Sequence, residues 1–156
     1  MIKPIVTDQF FLQQKSVPAA KDDRQVVTDL LDTVKANSDR CVGMAANMIG
    51  VNKTILVALI GKEYTVMINP KIVDSSRAEY TAEESCLSLT GTRTVSRRRG
   101  ITVEYYDKKW KKKKQTFEGF EAQIIQHEMD HLDGILFVDK IDKKDPFKNS
   151  DKMRAI

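Results

Sequence analysis

The chain has 156 residues, 41% apolar and 31% charged, a balance that excludes an intrinsically disordered segment and suits one compact domain. No apolar run approaches the roughly 18 residues of a membrane-spanning helix, and residues 1–8 lack the apolar core of a secretion signal, so a cytoplasmic location is expected and a membrane partner is not. A net charge of +4 permits an anionic partner without demanding one, and nothing points to specific DNA.

In chain order, the first expected element is a helix from about Arg24 to Ala36. Val26, Val27, Leu30, Leu31 and Val34 make one apolar stripe, Asp22 or Asp23 can cap the start, and Asn37-Ser38-Asp39 reads as the end. Thr54 to Ile60 is rich in β-branched residues and predicts a strand stopping at Gly61-Lys62. A second strand, Tyr64 to Ile68, is closed by Asn69-Pro70. Cys86 follows in Glu83-Glu84-Ser85-Cys86-Leu87-Ser88-Leu89, read as a segment between strands. Ile101 to Tyr106 alternates cleanly, and Asp107-Lys108-Lys109 predicts a turn into a partner strand ending near Phe117, its solvent face rich in lysine. A second helix should begin after Gly119 and end at Gly134 in a left-handed cap. No repeat or linker divides the chain. Residues 1–156 therefore read as a single α+β domain: an N-terminal helix, antiparallel or mixed sheets, and a helix in the C-terminal half.

That last helix carries the chemistry. Residues 126–134 read Gln-His-Glu-Met-Asp-His-Leu-Asp-Gly, and the chain's only two histidines, His127 and His131, stand four apart. One helical turn apart on one face, both imidazoles can reach one cation. At 100° per residue, Phe120, Ile124, His127 and His131 share a face, while Gln123, Gln126, Asp130 and Asp133 collect toward solvent. Glu128 falls in the apolar sector. A carboxylate aimed into a core is costly unless a charge meets it, and a divalent cation with its water is such a partner. The competing reading is a pair of satisfied core histidines, with Glu128 paired to a buried lysine or arginine. A catalytic site usually takes three protein ligands. No further His or Glu follows His131, so Asp139 and Asp142 are candidate oxygen ligands of a metalloprotease-like site. Upstream, the Cys86 thiolate is a borderline-soft candidate, against the alternative of an inert buried thiol.

Residues 126–134 resemble the third signature of the peptide deformylases. Glu84-Ser85-Cys86-Leu87-Ser88 resembles the second, and Val42-Gly43-Met44-Ala45-Ala46-Asn47-Met48 the first, all in the family's order from about Cys41 to Ile141. The resemblance implies Cys86, His127 and His131 as ligands of one divalent metal ion, Fe2+ in the cell, although such a set also accepts Zn2+, Ni2+ or Co2+. It implies Glu128 as the acid–base residue, Gly43 and Ile124 at the substrate, and the N–H of Leu87 as an oxyanion donor. The reaction implied is hydrolysis of the N-formyl group from the first methionine of nascent chains.

Several positions depart from the family's pattern. Met48 stands where the family has the glutamine that donates to the oxyanion, and methionine has no donor to give. Ser85 stands where the family has glycine, and would be strained if that position required a positive φ. Cys41 also replaces a glycine, and reads either as a small buried residue or as a thiol able to bind metal or pair with Cys86. Two functions follow: a deformylase with reduced activity, or a metal-bearing peptide-binding or regulatory protein without useful catalysis. Arg97–Arg99 and Lys108–Lys114, with Trp110 among the lysines, could also touch ribosomal RNA, against the plainer reading of a solvated strand face.

Overall fold

The computed structural model describes residues 1–135, with backbone alone for Leu89 and Thr90. The expected Asp139 and Asp142 ligands lie outside those residues. A short helix α1 (Gln9–Leu12) precedes α2 (Arg24–Ala36), whose bounds are those the apolar stripe predicts. Leu30 and Val34 of that stripe are fully buried, while Val26, Val27 and Leu31 are only half-buried.

Among the described residues seven strands follow: β1 (Gly43–Ala45), β2 (Ile55–Ile60), β3 (Glu63–Ser75), β4 (Glu79–Cys86), β5 (Leu89–Arg98), β6 (Gly100–Tyr106) and β7 (Lys112–Glu118). Five form one sheet in the order β1-β2-β3-β6-β7, and β4 pairs with β5 in a separate hairpin. Each of these strand pairs is antiparallel. The strand expected to close at Asn69-Pro70 runs on to Ser75. Proline cannot donate to a ladder, and the register shifts between Ile68 and Lys71 to admit it. Asn69 takes φ +50 there, and its side chain ties the bulge to Ala19 by two hydrogen bonds, at 2.9 and 3.1 Å.

The helix α3 (Gly119–Leu132) starts and stops as expected, with Gly134 just beyond it at φ +75. It packs chiefly on β2 and β1. A Cβ built on Gly43 would lie 2.7 Å from Ile124 Cγ2 and 3.3 Å from Glu128 Cγ, so only glycine lets β1 approach α3 this closely. Gly43 stands opposite Ala58, and Ala45 opposite Leu56. Side chains alternate along a strand and cross-strand partners share a face, so Leu56 and Ala58 point toward α3, and Ile55, with its partner Ile68, points to the other side. Ile124 and Ile125 are at most 1% exposed, and burying each contributes about 2 kcal/mol to holding α3 in place.

The helical wheel fails on one side of α3. Gln123 and Gln126, expected in solvent, are 5% and 8% exposed. The β4–β5 hairpin lies over them: Tyr80 Oη donates to Gln123 at 2.9 Å, and Gln126 exchanges two hydrogen bonds of 2.9 Å with the Arg98 backbone. Phe120, expected beside His127, is instead 53% exposed.

Candidate metal centre

Cys86 is the last residue of β4, not a loop residue between strands. Leu87-Ser88 turns the chain, and Cys86 pairs across to Leu89. This tight hairpin brings the thiol against α3. Cys86 Sγ lies 3.4 Å from His131 Nε2, which lies 3.2 Å from His127 Nε2. One donor atom from each of the three residues falls within 4.8 Å of the others, and all three residues are buried.

The tautomer of His127 follows from its neighbour. Its Nδ1 stands 2.7 Å from Glu84 Oε1. Burial pushes the Glu84 carboxyl upward, but hydrogen bonds from Arg97 and then His127 outweigh it and hold the carboxyl at about 2. An ionised Glu84 can only accept, so His127 donates from Nδ1 and Nε2 is the ring nitrogen turned to the cluster. Arg97 makes a fork to Glu84, Nε to Oε2 at 2.8 Å and Nη2 to Oε1 at 2.7 Å, and its remaining nitrogen meets Asp130. Arg97 is 3% exposed, so it cannot belong to a basic RNA-contacting surface. Neither Glu84 nor Arg97 was singled out from the sequence as a member of this site. The signal was the position of Glu84 two residues before Cys86, on the opposite strand face from Ser85.

Glu128 is 0% exposed, and among the described residues neither of its carboxylate oxygens nor His131 Nδ1 has a hydrogen-bond partner. Burial first, and then the charge of Glu84, raise the Glu128 carboxyl well above its ordinary value. Burial and the neighbouring His127 hold His131 well below the ordinary imidazole value, so it is neutral and offers a lone pair. A sulfur, two imidazole nitrogens and a buried carboxyl with no hydrogen-bond partner among the described residues fit a divalent cation. The same set fits a satisfied histidine core poorly, because such a core would leave no buried oxygens without partners.

The family pattern named Polypeptide deformylase matches residues 2–147. The chain belongs to the peptide deformylase family. A peptide deformylase of Clostridium beijerinckii is 56% identical over 136 residues, spanning 87% of this chain and 99% of its own. That of Rhizobium meliloti is 40% identical over 152 residues, covering 91% and 86%. Among solved structures, the Thermotoga maritima peptide deformylase superposes with a TM-score of 0.84 at 26% identity, covering 91% of this chain and 99% of that one. The Legionella pneumophila enzyme gives 0.83 at 33% identity, covering 92% and 88%.

The remaining expected deformylase positions have definite places. Gly43 and Ile124 meet each other beside Glu128, and β1 is an edge strand of its sheet. Leu87 opens the turn after Cys86. Met48 is fully buried in a 3-10 turn (Ala46–Ile49), and its sulfur accepts the Ala45 N–H at 3.5 Å. Ser85 does not take a positive φ, which removes the strain foreseen for it. The Cys41 thiol donates to the Gly43 carbonyl at 2.8 Å and stands outside the metal-ligating group. Among the described residues, no helix is long and apolar enough to cross a membrane.

Proposed function

We propose that Cys86, His127 and His131 hold one divalent cation and that Glu128 is the proton-transfer group of a peptide deformylase acting as a single domain. The observation that carries this reading is the convergence of three donor atoms beside a buried carboxylate with no hydrogen-bond partner among the described residues. When bound, the cation supplies Lewis-acid polarisation of the formyl carbonyl and acidifies water. The rest falls to the chain. Glu128, its carboxyl raised by burial, takes a proton from the attacking water and gives it to the methionine nitrogen as the C–N bond breaks, leaving formate and a free amine. The open edge of β1 can pair with an extended substrate, with Gly43 and Ile124 against it.

The Leu87 N–H is the oxyanion donor that remains. Met48 adds none, since a thioether sulfur carries no hydrogen to donate; here it accepts from the Ala45 N–H. Losing one such donor typically lowers turnover by about 10²–10³, so a slow deformylase is the reading we favour. Fe2+ is the proposed ion in the cell, and the mixed thiolate–imidazole set supports it without excluding zinc, nickel or cobalt. The substrates are formyl-methionyl nascent chains, which supports a cytoplasmic location. The exposed Lys112, Lys113 and Lys114 of β7 are the candidates for a ribosome contact. Anaerobic, iron-loaded protein should deformylate formyl-methionyl peptides; a rate no higher than that of free metal would remove the catalytic reading.

A further inference from the structure

A cavity of 340 Å³ lies on the face of the five-stranded sheet turned away from the metal centre. Its floor is Ile55 and Ile68, the cross-strand pair pointing away from α3. One wall is Val27 and Leu31, the part of the α2 stripe that the sheet leaves half-covered. The other wall is Trp110, the chain's single tryptophan. A cavity of this size suits a small molecule, and its apolar lining is what such sites share.

The loop that carries Trp110 is rigidly built. Asp107 Oδ1 accepts the N–H groups of Lys109 and Lys111, both at 2.9 Å, and the Trp110 N–H returns to the Asp107 carbonyl at 2.8 Å. Trp110 itself takes φ +62, a left-handed conformation that is rare and costly for a bulky side chain. Its ring stacks at a tilt on Tyr106, with centroids 5.5 Å apart. The fixed loop sets Lys108 and Lys109 at the rim, and Arg24 stands at the start of α2. None of these three cations makes an ion pair among the described residues. Among the described lining residues the one acid, Asp23, is engaged by Lys53 and by the Ala20 N–H. The rim is therefore positive over an apolar floor.

We propose that this cavity binds small amphiphilic carboxylates, with the hydrocarbon against Val27, Leu31 and Trp110 and the carboxylate held by Lys108 and Lys109. The site is separate from deformylation and does not depend on the metal. Trp110 fluorescence reports on it directly. Sub-micellar decanoate should change that fluorescence saturably, with calorimetry giving one site per chain. Decanol, lacking the charge, and acetate, lacking the chain, should each bind at least about tenfold more weakly. The exposed double variant Lys108→Glu/Lys109→Glu should lose affinity to the same degree while its circular dichroism is unchanged. Absence of saturable decanoate binding by both methods would overturn the proposal. So would equal affinities for decanoate and decanol, or for the original and double-variant proteins.

Discussion

Glu84 holds His127 by Nδ1 at 2.7 Å, and that single contact decides which imidazole nitrogen faces Cys86 and His131. The carboxylate is in turn fixed by the Arg97 fork, so a buried charge network orients the ring before any ion arrives. Groups that orient a ligand in this way typically contribute 10–100-fold to metal affinity. Glu84→Gln should therefore weaken metal binding by roughly 10–100-fold in a chelator competition. An unchanged affinity would mean that α3 alone orients the ring.

Arg97 balances a buried carboxylate, so its removal leaves that charge uncompensated. Arg97→Leu should cost about 3–5 kcal/mol in urea unfolding of the metal-free protein. The effect should shrink in Arg97→Leu/Glu84→Gln, where both charges are gone.

Acid should act through the same carboxylate. The Glu84 carboxyl is held at about 2 against an ordinary 4.5. The folded state therefore binds fewer protons than the unfolded one between those values, and stability falls as pH drops from about 4.5 toward 2. Unfolding of the metal-free protein followed across that window checks the sign. Glu84→Gln should flatten the slope there.

Gly43 is where β1 passes α3. Gly43→Ala would bring a methyl to 2.7 Å from Ile124 Cγ2 and to 3.3 Å from the Val57 carbonyl oxygen. The backbone cannot yield cheaply, so a loss of about 1–3 kcal/mol in stability is expected, with lower deformylation from a displaced Glu128.

Met48 gives the sharpest kinetic test. Met48→Gln restores a donor at the position where the family carries one, and kcat on a formyl-methionyl peptide should rise, by as much as about 10²–10³. An unchanged kcat would show that the missing donor does not limit turnover.

Local signals in the sequence reached the elements whose chemistry is local. The period of Val27, Leu30, Leu31 and Val34 bounded α2, and the spacing of His127 and His131 placed two candidate ligand residues on one helix face. The β4–β5 hairpin escaped because the face carrying Tyr80, Ala82, Cys86 and Val95 is broken by Glu84, Arg93 and Arg97, so its alternation is not one of apolar and polar residues. Without that hairpin Cys86 reads as a loop residue, Gln123 and Gln126 as solvated, and Arg97 as part of a surface charge run. The partners of Glu84 lie 13 and 43 residues further along, and no local pattern reaches that far. The bulge at Asn69 was hidden because proline is an ordinary stop signal unless a tertiary contact, here with Ala19, carries the strand through it.

The most direct test is the coordination of the ion itself. X-ray absorption on protein loaded with nickel or cobalt should find one sulfur and two imidazole nitrogens in the inner shell, and Cys86→Asp should remove the sulfur while keeping the nitrogens. An inner shell without sulfur, or stoichiometric metal retained in His127→Ala/His131→Ala, would contradict a centre built from Cys86, His127 and His131.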